Sequence, residues 1–224
     1  MSIHSAIKSA LKRGKEPNNC WIMKGQKKEN NDKRERILKA ATQVFAQNGF
    51  YNSKISQIAK LANVADGTIY LYFKNKDDIL ISLFEEEMTK IIKSVREEIA
   101  REIGFENKIR KFIEKHLSLI AENREMAEVM QIELRQSHKF MKGYSGTKFS
   151  DYLNIISSIV IQGQKEGEVR KDIVPGVAKR ILFGALDEIS SYWVLSKNKK
   201  YSLAVSAKLI GDIFISGVTC NSLD

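Results

Sequence analysis

Apolar residues recur with helical spacing along most of this chain of 224 residues. The first stripe, at positions i, i+3, i+4, i+7 and i+8, consists of Ile37, Ala40, Ala41, Val44 and Phe45. Residues at these intervals share one face of an α-helix, so the pattern predicts a helix with one buried side. Asp32 and Glu35 have the spacing of a capping box, and Asn48-Gly49 suits a left-handed helix end. We therefore expect the first helix to span residues 32–48.

Two short helices are predicted next, separated by Asn63 and Val64. The first of them carries the apolar residues Ile55, Ile58, Ala59 and Ala62. The second runs over residues 65–72. Asn75 then stands at the N-cap of a longer helix, with Asp78 in the first turn, where a carboxylate complements the helix dipole. Three helices, the last two joined by a tight turn, predict a helix-turn-helix unit.

The pattern stays helical from there almost to the end of the chain. Further helices are predicted over residues 79–102, 109–122, 126–134, 149–163, 175–193 and 203–218. No segment alternates as a strand does, so the predicted fold class is all-α. We expect three parts, which are a basic flexible arm over residues 1–31, a helix-turn-helix domain over residues 32–78 and a second helical domain over residues 79–224.

The chain carries an excess of positive charge. It has 37 Lys and Arg against 27 Asp and Glu, which gives a net charge of +10 and a pI near 9.5. Residues 1–31 contain seven basic and two acidic residues. This balance favours a polyanionic partner, either nucleic acid or an acidic membrane surface. The arm either adds contacts to such a partner or is a solvated tail, and residues 1–22 are expected to be dispensable because Met23 is an equally good start.

Several functional classes are excluded by what the sequence lacks. Its two cysteines, far apart in sequence, provide neither a disulfide framework nor a zinc site. The three histidines, His4, His116 and His138, have no metal-ligand spacing, so each is expected to lie at the surface or to be hydrogen-bonded internally. No apolar run approaches the roughly 20 residues that a membrane helix needs. The sequence therefore predicts a cytoplasmic protein without metal or membrane association.

The segment SKISQIAKLANVADGTIYLYFKNKDDIL, residues 53–80, carries the candidate chemistry. Gly67 permits close approach to DNA, and Thr68 offers a hydroxyl for a base edge and a methyl for thymine. Tyrosine hydroxyls and lysine ammonium groups on the same short segment suit phosphates. A helical hairpin with incidental tyrosines is the alternative interpretation. The candidate DNA-contacting residues are Lys54, Asp66, Gly67, Thr68, Tyr70, Tyr72, Lys74 and Lys76.

The arrangement ILKAATQVFAQNGF followed by ISQIAKLANVADGTIYLYFKNKDDIL resembles the DNA-binding domain of the TetR family of bacterial transcriptional repressors. Within it, VADGTIYLYFKNKDDILISLF and IELRQS are similar to the FadR-type repressors of fatty-acid degradation. The resemblance implies a homodimer that binds a palindromic operator on double-stranded DNA and a long-chain acyl-CoA effector, with no cofactor. One departure is Ala65, where many relatives have a serine that caps the recognition helix. Asp66 then either takes over the cap or faces the groove.

The resemblance also implies that the second domain binds the effector and forms the dimer. Any one of the apolar side chains on the helices of this domain is more often a core residue, but as a set they would suit a pocket for a long chain. Arg135 could hold a CoA phosphate or pair with Glu133. The candidate effector-binding residues are Leu117, Ile120, Met126, Met130, Leu134, Arg135, Phe149, Tyr152 and Ile156. The candidate dimer-interface residues, on the helix after Pro175, are Ile181, Ala185, Ile189 and Trp193.

Two other functions compete with this interpretation. A regulator of the same family could sense a drug or another apolar compound instead of acyl-CoA. An α-helical enzyme that binds acyl-CoA is a candidate of a different class. The sequence offers no glycine-rich phosphate loop, no metal constellation and no nucleophile next to a base, so we expect a regulator and not an enzyme.

Overall fold

The computed structural model of the protein describes residues 20–133 and 147–220, and for residues 20–30 and residue 133 it describes the backbone alone. The helices of this part of the chain are α1 (Cys20–Asn48), α2 (Ile55–Ala62), α3 (Asp66–Ile69), α4 (Lys76–Ile99), α5 (Phe105–Glu122), α6 (Arg124–Glu128), α7 (Lys148–Glu166), α8 (Pro175–Leu195) and α9 (Leu203–Val218). A π-helical turn, Val129–Glu133, continues α6. The described ranges contain no strand, only an isolated antiparallel bridge between Val169 and Thr219. The predicted all-α fold class is confirmed.

The predicted beginning of the first helix is wrong. Helix α1 begins at Cys20, so Asp32 lies inside it and does not cap it. Residues 20–31 were assigned to a flexible arm because they lack an apolar stripe. A polar segment can nevertheless extend a helix that is already anchored downstream, since adding a residue to a helix costs far less than nucleating one. The rest of the arm, residues 1–19, lies outside the described residues.

The other helices match their predictions more closely. Gly49 has a φ of +74°, the left-handed conformation predicted for the end of α1, and Asn63, at the predicted break after α2, is also left-handed with a φ of +54°. Asn75 caps α4, and its side chain accepts a hydrogen bond from the Asp78 amide at 2.9 Å. The recognition helix is shorter than the predicted residues 65–72. After α3 the chain tightens into turns, in which the Leu71 amide donates to the carbonyl of Thr68 at 3.2 Å.

Helices α1, α2 and α3 pack on the beginning of α4 around fully buried side chains. These are Ile37, Ala41, Phe45, Ile58, Ala59, Ile69 and Ile79. Helix α4 is long enough to continue from this unit into the second domain, where it packs against α5 and α7. An ion pair between Arg34 of α1 and Glu86 of α4 joins the two parts, and α6 packs against α1.

Helix α5 lies at the centre of the second domain. Its inner face, Ile109, Phe112, Ile113 and Leu117, is buried against α7, α8 and α9. Helices α5 and α7 approach closely at Gly163, where an added methyl group would lie 2.6 Å from a methyl carbon of Val169 and 3.0 Å from the ring of Phe105. Among the described residues, no helix is long and apolar enough to cross a membrane.

Candidate DNA-contacting surface and effector cavity

Helix α3 presents one face to the core and the other to solvent. Ile69 is fully buried, whereas Asp66, Gly67 and Tyr70 are exposed and Thr68 is half-buried. A methyl group added at Gly67 would meet no atom within 4 Å, so the surface is open at this point. This arrangement allows the backbone of α3 to approach another molecule closely.

The remaining predicted DNA-contacting side chains stand on the segments before and after α3 in the sequence. Lys54 at the start of α2 and Lys74 before α4 are exposed, and Tyr72 is half-buried. At the start of α3, Ala65 occupies the N-cap position and no side chain accepts a hydrogen bond there. Asp66 therefore does not take over the capping role. Its exposed carboxylate remains available to a base edge or to repel a phosphate.

Lys76 differs from the sequence-based prediction. Its ammonium group donates to the carbonyl oxygens of Phe50, Tyr51 and Ser53 at 2.5, 3.0 and 2.9 Å. An ammonium group has three N–H donors, and each of them has a carbonyl partner here. Burial lowers the pKa of Lys76, although the charge of Asp77 opposes this. Lys76 thus stabilises the loop between α1 and α2, and its ammonium group has no N–H left to donate to a DNA phosphate.

Two exposed side chains in this region were not among the predicted contacts. Leu71, two residues after the end of α3, is 82% exposed, and Tyr51, in the loop that Lys76 holds, is 62% exposed. Leu71 lies in the turns that follow the recognition helix. The position of Leu71 between Tyr70 and Tyr72, two predicted DNA contacts, is the feature of the sequence that could have indicated it.

A cavity of about 710 Å³ lies between α4, α5, α6, the π-helical turn, α7 and α8. Its described walls are mostly apolar and combine methionine, isoleucine and aromatic side chains from five helices. The apolar and aromatic lining residues are Phe84, Met88, Ile91, Leu119, Ile120, Met126, Ala127, Met130, Phe149, Tyr152 and Phe183. A cavity of this size and chemistry suits an apolar ligand that methionine side chains can fit around.

Five of the nine predicted effector-binding residues line this cavity, namely Ile120, Met126, Met130, Phe149 and Tyr152. Leu117 and Ile156 do not line it and belong to the buried core instead. Leu134 and Arg135 lie outside the described residues. The apolar stripe of α5 is wide enough to face both the core and the cavity. Periodicity alone therefore does not tell that Leu117 faces the core and Ile120 the cavity.

One wall of the cavity was missed at the sequence level. Phe84, Met88 and Ile91 project from α4 at positions i, i+4 and i+7. This stripe was visible in the sequence, but nothing indicated which element it would face. Phe183 of α8 was missed for the same reason, and its ring packs edge-on against Phe149 at 5.2 Å between centroids.

The cavity wall also contains polar groups. His116 Nδ1 lies 2.7 Å from the hydroxyl of Tyr152, and His116 Nε2 lies 3.3 Å from Ser190 Oγ. Burial lowers the pKa of His116 to about 4 and raises the pKa of the Tyr152 hydroxyl, so both groups are uncharged at neutral pH. The sequence predicted that His116 is either at the surface or hydrogen-bonded internally, and the second alternative is confirmed.

Charged groups of the described wall are all acidic. Glu87, Glu122 and Asp187 line the cavity, and no lysine or arginine does so within the described ranges. Lys90 pairs with Glu87 at 3.2 Å, and Lys115 pairs with Glu122 at 3.8 Å. In the same ranges no cluster of three or more His, Cys, Asp and Glu side chains could hold a metal ion.

A second apolar surface lies between α8 and α9. It is a groove of about 490 Å³, lined by residues that include Val177, Ile181, Ala185 and Ile213. Ile181 is 62% exposed and Ile213 is 74% exposed. The other two predicted interface residues, Ile189 and Trp193, are half-buried against the protein's own core.

Comparison with known proteins agrees with this architecture. The family described as "Bacterial regulatory proteins, tetR family" matches residues 37–83, and the one described as "YsiA-like protein, C-terminal region" matches residues 84–217. The chain belongs to the TetR family. A fatty acid metabolism regulator protein of Bacillus subtilis is 39% identical over 191 residues, which cover 85% of this chain and 98% of that protein.

Two solved structures of this family are also similar to the chain. FadR from B. subtilis, in complex with stearoyl-CoA, has a TM-score of 0.76 and 40% sequence identity. The fatty acid degradation regulator FadR from Bacillus halodurans has a TM-score of 0.75 and 35% identity. Each comparison covers 82% of this chain and 98% of the other. The chain is therefore a FadR-like transcriptional regulator of the TetR family and not an enzyme.

Proposed function

We propose that the protein is a homodimeric repressor that long-chain acyl-CoA releases from a palindromic operator. The observation that carries the proposal is the apolar cavity of about 710 Å³ in a chain 40% identical to a regulator solved with stearoyl-CoA. Burying each methylene of an acyl chain contributes about 0.8 kcal/mol, so a long chain gains much of its affinity from such walls. A cytoplasmic location belongs to the same proposal, because the operator lies there.

The charges of the cavity wall indicate where the two parts of the effector bind, namely its alkyl chain and its CoA phosphates. The alkyl chain occupies the cavity between the α4 wall and the side chains of Met130 and Phe149. The CoA phosphates lie outside the described wall, because its charged lining residues are all acidic and it offers no lysine or arginine to bind them. Arg135 remains our candidate for binding a phosphate, since a guanidinium group can donate two hydrogen bonds to it.

The α8–α9 face supports the homodimer. A surface with Ile181 and Ile213 more than half exposed is costly in water and is removed from it when a second copy packs against it. Helices α8 and α9 of two copies would form a four-helix bundle around a two-fold axis. Such a dimer presents two α3 helices to successive major grooves, which explains a palindromic operator.

The proposal is tested by measuring operator release with acyl-CoAs of increasing chain length. We expect release to require a long chain, while CoA alone has no effect and free fatty acids act more weakly because they lack the phosphates. By linkage, operator DNA must weaken acyl-CoA binding by the same factor, typically about 5- to 150-fold. If no chain length releases the operator and a drug-like apolar compound does, the effector assignment is wrong and only the regulator remains.

A further inference from the structure

A chain of hydrogen bonds runs through the cavity wall from α7 to α8. It connects Tyr152, His116 and Ser190, which come from three different helices, and it ends at the Leu186 carbonyl. Phe112 packs against the Tyr152 ring at 5.3 Å and Phe183 packs edge-on against His116 at 6.0 Å, so the rings are held in place. Packing alone would be satisfied by phenylalanine and leucine here. The polar chain therefore needs a separate explanation.

The direction of these hydrogen bonds follows from the last of them. Ser190 Oγ lies 2.7 Å from the Leu186 carbonyl oxygen, which can only accept, so the single Ser190 proton points there. His116 Nε2 must then be protonated and donate to Ser190. His116 Nδ1 is left as an acceptor, and the Tyr152 hydroxyl donates to it. The Tyr152 oxygen still has a lone pair, so it can accept a hydrogen bond from a ligand hydroxyl.

The same three protons can also be arranged in the opposite direction. Ser190 would donate to Nε2, His116 would donate from Nδ1 to the Tyr152 oxygen, and Tyr152 would donate to a new acceptor. The Leu186 carbonyl would lose the Ser190 hydroxyl but would keep the main-chain bond that it accepts within α8. No buried polar group is left without a partner in either arrangement, so the reversal costs little.

We propose that the Tyr152 hydroxyl hydrogen-bonds one oxygen atom of the bound acyl ligand, with His116 as its positioning residue. The inference rests on the proposed function. When an unsubstituted alkyl chain is beside Tyr152, the chain of bonds is complete within the protein and nothing is lost. When a ligand hydroxyl is beside it, Tyr152 accepts an additional hydrogen bond, and when a ligand carbonyl is beside it, the reversed arrangement exchanges the Ser190–Leu186 bond for one to the ligand. The site therefore distinguishes ligands that carry an oxygen atom next to the Tyr152 hydroxyl from ligands that carry only methylene groups there.

Two oxygens of such ligands have the required chemistry. One is the carbonyl of the thioester, which accepts a hydrogen bond from Tyr152. The other is a hydroxyl on the acyl chain, which can accept from Tyr152 or donate to it. The two sources are separated by ligands of equal chain length, namely an acyl-CoA, the S-alkyl-CoA thioether that lacks the carbonyl, and a 3-hydroxyacyl-CoA.

The experiment measures the three dissociation constants by calorimetry for the wild type and for Tyr152→Phe. In the wild type we expect one oxygen-containing ligand to bind about 3- to 10-fold more tightly than its counterpart without that oxygen. Tyr152→Phe should abolish this ratio. Because both ligands are compared within one variant, a loss of stability in that variant cancels. Tyr192→Phe is the matched control, since the Tyr192 hydroxyl bonds the Asn198–Lys200 segment away from the cavity and the ratio should persist.

The positioning role of His116 is tested in the same way. His116→Leu should abolish the ratio, and His116→Gln, whose amide can still bond Tyr152, should retain part of it. If all three ligands bind but Tyr152→Phe leaves both ratios unchanged, the inference is wrong while the proposed function stands. If no CoA derivative binds the wild type, the proposed function fails and the inference fails with it.

Discussion

The ammonium group of Lys76 makes two contacts with Phe50, a residue 26 positions earlier in the sequence. It donates to the Phe50 carbonyl oxygen at 2.5 Å and lies 4.6 Å from the centroid of the Phe50 ring. The bond joins the start of α4 to the loop that follows α1. It therefore ties the loop before α2 to the start of α4.

Lys76→Met should consequently destabilise the protein. The substitution removes three hydrogen bonds from a charged donor, and we expect a loss of about 1–3 kcal/mol in the free energy of unfolding. Lys74→Met is the matched control, because Lys74 is exposed. It should leave stability unchanged but reduce the slope of log operator affinity against log salt by about 0.9 per protomer, hence about 1.8 for the dimer. Denaturant unfolding and a salt titration of operator binding measure both effects. Equal stability of the two variants would contradict the structural role of Lys76.

Gly67→Ala should weaken operator binding without weakening the fold. The added methyl group meets nothing in the free protein, and alanine is favoured over glycine in a helix by up to about 1 kcal/mol. On the operator, the same methyl would separate α3 from the groove. Gly176→Ala, at another open helical position, is the control: it should change stability in the same direction but leave operator affinity unchanged. Operator affinity and thermal unfolding are the measurements, and an unchanged affinity of Gly67→Ala would mean that α3 does not approach DNA at this residue.

Ile91→Arg should abolish effector binding and leave operator binding intact. Ile91 belongs to the α4 wall of the cavity, where a long charged side chain would take up the apolar space that the alkyl chain of the effector needs. Ile161→Arg introduces the same change on the exposed side of α7 and should bind the effector normally. Calorimetry with a long-chain acyl-CoA and an operator-binding assay test the pair. Normal acyl-CoA affinity of Ile91→Arg would place the ligand elsewhere.

Ile213→Glu should dissociate the proposed dimer. Ile213 is 74% exposed on the α8–α9 face, and two carboxylates near the two-fold axis would repel each other in an apolar interface. Ile103→Glu, at a residue 86% exposed in the loop before α5, is the control and should remain dimeric. Sedimentation velocity at micromolar concentration measures the mass. A dimeric Ile213→Glu protein would show that another face forms the interface.

The buried His116 should make stability depend on pH. Its pKa is about 4 in the folded protein and near 6.5 when exposed, so the unfolded chain binds more protons between these values. The contribution of His116 is therefore complete above pH 6.5 and is lost as the pH falls towards 4, by about 3 kcal/mol in total. Denaturant unfolding across this range should show a steeper fall for the wild type than for His116→Gln. Parallel curves would mean that His116 is protonated in the folded state.

The sequence by itself determined the helices and the recognition unit. The apolar periodicity of α5 and α9, the glycine after α1 and the asparagine cap of α4 are local signals, since an α-helix and its caps involve residues within four positions of one another. The segment over residues 53–80 is equally local, which is why its DNA contacts could be predicted, and the TetR resemblance stated, from the sequence alone.

Only the tertiary structure decided which side of each helix faces what. Leu117 and Ile120 belong to one stripe on α5, yet the first is in the core and the second lines the cavity. Lys76 has a phosphate-binding sequence context but is taken up by carbonyls some 25 positions earlier. His116 meets Tyr152 and Ser190 across 36 and 74 positions. Contacts of this kind depend on how helices pack, and helical periodicity specifies a buried face without specifying the partner that buries it.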